Sequence, residues 1–274
     1  MSLGKSPTAT PTISVLLCVN RSNPYLAEAI RSVLNQEDGD FEFLIAANAC
    51  SDDLMEELRR MVSGDPRARL LRTAIGQLAF NLNLLADHAR GEYLVRMDSD
   101  DVCSPNRIAR LRSSLAINPV DVLGSWAQVI DSEGRRIGEY RLPTEHQEIV
   151  KKLVYTTVFC HPAVAIRRQF LMDVRGYLGG FSSEDSDLWL RGLRRNPVYM
   201  NLPEFLLSYR VHGAQASRSR QGYAEMAAHW LRELLVAPSW YLTKGLVVAL
   251  AKCLAAPALV AWHKTQPPRA AGGT

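Results

Sequence analysis

Apolar residues run almost without interruption through ISVLLCV (13–19). They then recur three and four positions apart through PYLAEAIRSVLNQ (24–36), where Leu26, Ile30, Val33 and Leu34 share one face. The first pattern predicts a strand covered on both sides, the second an amphipathic helix. The pair repeats three times: FEFLIAA (41–47) with SDDLMEELRRMV (51–62), RLLR (69–72) with QLAFNLNLLADHA (77–89), and EYLVRMD (92–98) with SPNRIARLRSSLAI (104–117). Pro24 suits a first helical turn, Ser51 or Asp52 a cap, and Ser104 a cap ahead of Pro105. Alternation of this kind implies a mostly parallel sheet with right-handed crossovers, a Rossmann-like α/β fold. Ligands of such sheets bind beyond the carboxyl ends of the strands. The loops NRSN (20–23), NACSDD (48–53) and DSDD (98–101) are therefore where chemistry is expected.

The second half is less regular. VLGSWAQVID (122–131) and RRIGEYRL (135–142) flank the turn SEG and predict a hairpin. EHQEIVKKLVY (145–155) reads as a helix, VFCHPAVAIRR (158–168) as a strand and GYLGGFSS (176–183) as a glycine-rich loop. EDSDLWLRGLRR (184–195) reads as a helix with Leu188, Trp189 and Leu193 on its core side, and VYMNLPEFLLSYRVH (198–212) as one or two strands. From about 219 the pattern is helical. The apolar stretch 238–264 is interrupted by Lys244 and Lys252, broken at Pro257 and bounded by Trp240, Tyr241 and Trp262. It fits packing on the domain, a homodimer contact, or an interfacial helix at a membrane surface. No window of about 20 residues lacks charge, which argues against a full span.

Composition narrows the classes. The chain has 274 residues, 47% of them hydrophobic and 22% charged, with a net charge of +4. That balance fits a globular protein with an anionic ligand or a membrane surface, not the concentrated basic face of a nucleic-acid binder. Five cysteines without a CxxC pair suggest reduced thiols, a cytoplasmic setting and no zinc site. Residues 1–11 lack the apolar core of a signal peptide and read as a flexible lead.

Two acidic clusters carry the candidate chemistry. Asp98, Asp100 and Asp101 follow a buried strand directly. Carboxylates this close raise one another's pKa, so they are either solvated loop and capping charges or the ligands of a cation. Oxygen ligands at i and i+2 suit Mg²⁺ or Mn²⁺. The second cluster, SSEDSDLW, reads as a capped helix start with Ser183 as cap and Glu184, Asp185 and Asp187 favoured by the helix dipole. A carboxylate held there is also exposed for reaction.

Six stretches in order, ISVLLCVNRSNPYLAEAIRSVLNQ, NACSDD, GEYLVRMDSDD, HPAVAIRR, GGFSSEDSDLWLR and LSYRVH, resemble family 2 of the glycosyltransferases, which has the GT-A fold. The resemblance spans about residues 13–217. It implies a catalytic domain over 12–217, with a nucleotide-sugar half (12–117) and an acceptor half (118–217), and a helical extension over 218–274. It further implies that Asn20, Arg21, Asn48, Asn81 and Asp98 contact the nucleotide-sugar. Asp100 and His212 would hold Mn²⁺ or Mg²⁺, with Asp101 a helper or a cap. Asp185 would act as general base, with Glu184 on acceptor hydroxyls and His161 and Arg210 at the acceptor site. SRSR (217–220) would be a lid or a linker, and Trp189 core.

The activity implied is inverting, metal-dependent transfer from a nucleotide-diphospho-sugar, a UDP-sugar above all, to a glycan or lipid-linked acceptor. Its setting would be bacterial surface polysaccharide or lipopolysaccharide synthesis, at the inner face of the plasma membrane. The chain departs from the family at Ala47, where an acid is expected, and at Phe80, where an arginine is expected; Cys18-Val19 precede Asn20. Two other readings stay open. A nucleotidyltransferase of similar fold would leave EDSDLW without a role. A binding module with a decayed site is favoured by Ala47 and Phe80 and opposed by Asp98, Asp100 and Asp185.

Overall fold

The computed structural model describes residues 12–178, 180, 182–212 and 220–258. The lead 1–11, residues 217–219 of SRSR and residues 259–264 of the apolar tail lie outside the described residues. The elements run β1 (Ile13–Val19), α1 (Leu26–Leu34), β2 (Glu42–Asn48), α2 (Asp52–Met61), β3 (Ala68–Thr73), α3 (Leu78–His88), β4 (Tyr93–Met97), β5 (Val102–Cys103) and α4 (Arg107–Ile117). The second half adds β6 (Val122–Ile130), β7 (Arg136–Tyr140), α5 (His146–Leu153), β8 (Ala165–Arg167), α6 (Arg168–Asp173), α7 (Glu184–Gly192), β9 (Tyr199–Arg210), α8 (Arg220–Val236) and α9 (Trp240–Leu254).

The strands form one sheet in the order β3-β2-β1-β4-β8-β6-β9-β5, with β7 on β6. The block β3-β2-β1-β4 is parallel. β8 then runs antiparallel to both β4 and β6, and β6 is parallel to β9. Period-2 alternation separates two cores. Ile13, Val15, Leu17 and Val19 of β1 pack with Leu26 and Ile30 of α1, Leu54 of α2 and Leu111 of α4. Leu16 of β1 and Leu44 of β2 face the other way, with Leu82 and Leu85 of α3, Phe170 of α6, and Leu188 and Trp189 of α7. Leu188 and Trp189 are thus core residues, as their spacing predicts. A third cluster joins Leu190 of α7 to Ala227 and Trp230 of α8 and Ala249 of α9. Gly245 lets α9 lie flat on α8: a Cβ there would stand 2.0 Å from the Trp230 ring.

Three local expectations are corrected. Residues 158–168 are not one strand. Pro162 sits in a 3₁₀ turn over His161–Ala163, and only Ala165–Arg167 pair in the sheet, because proline has no N–H for a ladder. The helix predicted from 104 begins at Arg107, and Ser104 does not cap it: its hydroxyl donates to the Phe205 carbonyl at 3.0 Å and ties the turn to β9. The two-residue strand β5, antiparallel to β9, is too short for a sequence pattern. Ser51 does cap α2, accepting from the Leu54 N–H at 3.2 Å.

Candidate active site

The carboxyl end of β4 sets the first acidic cluster. Leu94 of that strand faces the α3/α7 side, and alternation sends Arg96 and Asp98 the same way. Arg96 is 3% exposed. Its guanidinium donates to Asp98 Oδ1 at 2.5 Å and to the Met97 carbonyl. His212 Nε2 lies 2.8 Å from Asp100 Oδ2. Asp101 is wholly buried; its Oδ1 accepts the Arg210 N–H at 2.8 Å, and its Oδ2 has no partner. One oxygen from each of the three carboxylates falls within 4.8 Å of the others. Burial, then the Asp98 charge, pushes the Asp100 carboxyl above its usual range, against the pull of His212. Burial, then Asp98 and Asp100, pushes Asp101 well up. The cluster is therefore short of positive charge. Three carboxylates, one of them with an unpartnered buried oxygen, and an imidazole are a donor set that fits Mn²⁺ or Mg²⁺.

The loop is braced from below. Arg210 is 2% exposed. Its Nε donates to the Asp100 carbonyl at 2.9 Å, Nη2 to Glu28 Oε2 at 2.6 Å and Nη1 to the Asp131 carbonyl at 3.2 Å, while its face covers the Tyr25 ring at 4.4 Å. A guanidinium so engaged braces the DSDD loop. Asp101 starts no helix; it anchors the end of β9. Arg107, fully buried, donates to the Arg96 carbonyl at 3.0 Å and the Pro162 carbonyl at 2.8 Å. Asn23 Nδ2 donates to Ser99 Oγ at 3.2 Å and links the loop after β1 to the same cluster.

Around the loops after β1 and β2, Asn20 and Arg21 are exposed and line a cavity with Ser22, Ser51, Asp53 and Leu54. Asn48 closes β2; it is buried, and its Oδ1 has no partner. The next residue, Ala49, takes a φ of +48°, a conformation costly for a side-chain-bearing residue and found where a turn is over-determined. Asn81 is placed differently. Its Oδ1 accepts from Thr73 at 2.7 Å, and its Nδ2 donates to the Ile75 and Gln77 carbonyls, each at 2.7 Å. Its amide shapes the loop 73–77.

The second cluster starts α7. The Glu184 carboxyl is pushed up to about 7 by burial and then by the Asp185 charge. Asp185 is raised by burial, against the N–H and hydroxyl of Ser186, which donate to its Oδ1 at 2.6 and 3.2 Å. His161 Nδ1 stands 3.7 Å from Glu184 Oε1, and Nε2 lies 3.0 Å from the Tyr177 hydroxyl. Burial, then the Arg96 charge, holds His161 well below the usual histidine range, so it is a neutral imidazole beside the acid. Ser183 makes no cap bond to α7; its hydroxyl turns to Glu225 at 2.8 Å.

The structure thus gathers His161, Glu184 and Asp185 on one side and Asp98, Asp100 and His212 on the other. The charge of Arg96 reaches Asp98, Glu184, Asp185 and His161 alike. Sequence reasoning missed Arg96. The available signal was a lone cation inside an apolar strand, two positions before Asp98 and therefore on its face.

A mostly parallel sheet flanked by helices, with an acidic loop after its fourth strand and a carboxylate pair at the start of a later helix, is the GT-A architecture of glycosyltransferases. The chain belongs to glycosyl transferase family 2, whose family model matches residues 14–175. It is 37% identical over 227 residues to the O-antigen biosynthesis glycosyltransferase WbnJ of Escherichia coli, covering 81% of this chain and 89% of that protein. Among solved structures it resembles Staphylococcus aureus TarS 1-349 in complex with UDP-GlcNAc. That match has a TM-score of 0.68 and 17% identity, over 87% of this chain and 71% of that one. It also resembles the mannosyltransferase PcManGT of Pyrobaculum calidifontis in complex with GDP-Man and Mn²⁺, with a TM-score of 0.63 and 17% identity, over 97% and 79% of the two chains. The chain is accordingly a glycosyltransferase with the GT-A fold, and its family relationships lie in polysaccharide biosynthesis. Among the described residues no helix is long and apolar enough to cross a membrane.

A raised carboxyl pKa has a stability consequence. Folded Glu184 holds its proton up to about 7 rather than 4.5, so the folded state binds more protons than the unfolded one and loses stability as pH rises through that window. Glu184→Gln is expected to be more stable than the parent at pH 8, by about 1–3 kcal/mol, and equal to it near pH 4. Melting temperatures at the two pH values check this; an equal difference at both contradicts it.

Proposed function

We propose that this glycosyltransferase moves a sugar from a nucleotide-diphospho-sugar, with a UDP-sugar as the first candidate, to a hydroxyl of a glycan or lipid-linked acceptor, with inversion at the anomeric carbon. The observation that carries the reading is the pairing of two acidic clusters across Arg96. One is suited to a cation and diphosphate, the other to a proton. Asn20, Arg21 and Asn48 face the nucleotide, with the unpartnered Asn48 oxygen available to a base N–H, and Asp98 takes the ribose. Asp100 and His212, with Asp98 and Asp101 beside them, hold Mn²⁺ or Mg²⁺, which when bound neutralises the charge of the departing diphosphate.

Asp185 takes the acceptor hydroxyl proton as that oxygen attacks the anomeric carbon; the bond to the diphosphate breaks on the opposite face, and no covalent intermediate is needed. The hydroxyl proton is lost late, as the new bond forms, so a carboxylate suffices as base. Glu184 and the neutral His161 orient the acceptor. The WbnJ relationship supports a surface polysaccharide such as O-antigen as the product. The nucleotidyltransferase reading gives the Glu184–Asp185 pair nothing to do.

Asp100→Ala is expected to lose Mn²⁺-dependent transfer by about 10²-fold or more, and Asp185→Asn to keep donor binding while losing transfer to a similar extent. Donor titration by calorimetry together with transfer assays checks both. Full transfer in either variant removes the role assigned to that residue.

A lipid-linked acceptor also gives the extension a purpose. Trp240 (89% exposed), Val247, Leu250 and Leu254 (84% exposed) form an outward stripe on α9, next to Leu235 and Val236. After Glu233 the sequence has no carboxylate, whereas Lys244, Lys252, Lys264 and Arg269 remain. An apolar stripe in a cationic segment matches an anionic lipid surface at the cytoplasmic face. The protein is expected to sediment with anionic vesicles and not with zwitterionic ones, and the double variant Trp240→Asp/Leu254→Asp to stay in the supernatant. Wild-type protein that ignores anionic vesicles, or that hides this face in a dimer by light scattering, contradicts the membrane assignment.

A further inference from the structure

The extension grips the helix that bears the proposed base. Three side chains of α8, spaced three and four residues apart and hence on one face, converge on the first turn of α7. Glu225 Oε2 accepts the Ser183 hydroxyl at 2.8 Å and the Ser182 N–H at 3.2 Å. His229 Nε2 lies 3.0 Å from Ser183 Oγ, and its Nδ1 lies 3.6 Å from Asp187 Oδ1. Arg232 Nη2 donates to Asp187 Oδ1 at 2.5 Å, and its Nε donates to Glu233 Oε1 at 2.8 Å. Asp187 is wholly buried, and its second oxygen accepts from Arg191 Nε at 2.7 Å. At Gly180 (φ +139°) a Cβ would meet Glu225 Oε2 at 3.1 Å, so the preceding loop closes on the same carboxylate.

The spacing on α7 gives the contact its meaning. Asp185 and Asp187 are two residues apart, about 200° around a helix. The face that carries Asp187 is fastened to α8, while Asp185 turns toward Arg96 on the other side. An apolar seam would hold the two helices together with tolerance for rotation and sliding. A buried carboxylate with two guanidinium partners has one low-energy arrangement, because any displacement leaves charge unpaired. The network also reaches the acceptor side: Arg191 Nη2 donates to the Gly176 carbonyl at 2.7 Å, next to Tyr177, whose hydroxyl meets His161.

We propose that α8 is a working part of the active site: Glu225, His229 and Arg232 are positioning residues that set the rotation and depth of α7, and so the reach of Asp185 to the acceptor hydroxyl. This rests on the reading of Asp185 as the base. The Asp187–Arg232 pair is the main fixing point and the Glu225–Ser183 bond the second.

The test uses the full chain and four variants, Arg232→Ala, Arg232→Lys, Glu225→Gln and Asp185→Asn, compared for melting temperature, donor affinity and transfer kinetics. Arg232→Ala is expected to lower kcat about 10–100-fold, as a misplaced catalytic group does, with the donor KM within about twofold. Arg232→Lys, which restores one charged bond to Asp187, is expected to recover most of that loss. Glu225→Gln, at the half-buried edge of the contact, is expected to lower kcat by a smaller factor with the fold intact, and it decides the matter if Arg232→Ala does not fold. Unchanged kcat in Glu225→Gln and in folded Arg232→Ala, or kcat and donor affinity falling together in step with melting temperature and without rescue by lysine, overturns the proposal. Asp185→Asn separates the two claims. If it is inactive while the α8 variants are unaffected, the positioning role alone fails; if it transfers normally, the base assignment fails.

Discussion

A cation buried in an apolar strand organises this site. Arg96 lies inside β4, 3% exposed, and a guanidinium there is tolerable only with a charge partner. Asp98 supplies the charge and the Met97 carbonyl fills a donor. Once Arg96 is fixed, its field covers both acidic clusters. Burial raises Glu184 and Asp185 and holds His161 neutral; the Arg96 charge pulls the two carboxyls back toward their charged forms and adds to the neutrality of His161. Two groups of carboxylates that would otherwise repel one another across a crevice share one central positive charge.

Other buried arginines do related work without facing the crevice. Arg107 joins the carbonyl of Arg96 to that of Pro162 and so ties β4 to the turn bearing His161. Arg210 spans Glu28 on α1, the Asp100 carbonyl and the 131–132 turn. Arg191 and Arg232 meet on Asp187 under the second cluster. Architecture falls to arginines whose forked donors reach several protein atoms at once, a geometry that lysine does not reproduce. Chemistry falls to carboxylates whose oxygens are left to one another or to a ligand.

The parallel half was legible because its signals are local. Ile13–Val19 is apolar but for Ser14, as suits a strand buried on both faces, α1 and α2 show clean helical stripes, and the loops after β1, β2 and β4 follow from topology. The pair Asp98 and Asp100 and the pair Glu184 and Asp185 stood out as charge clusters at element ends. What stayed hidden depends on partners far away in the chain. Ser104 resembles a cap, yet it bonds to a carbonyl 101 residues on. Asp101 meets Arg210 across 109 residues, and Ser183 meets Glu225 across 42. Polar side chains near a helix start satisfy a capping pattern and a tertiary bond equally well, and only the packing of β9 and α8 decides between them. Arg96 was hidden for the opposite reason: its strand reads as apolar, and one cation in five residues looks like a tolerated exception.

The most direct test of the account is the pH dependence of kcat for sugar transfer in Arg96→Met, a change that keeps length and burial and removes the charge. With that charge gone, the carboxyls of Glu184 and Asp185 rise further, so the acid limb of the profile is predicted to move to higher pH than in the parent enzyme. An acid limb that stays where it was, in a folded variant that still binds donor, would contradict the claim that the Arg96 charge acts on the second cluster.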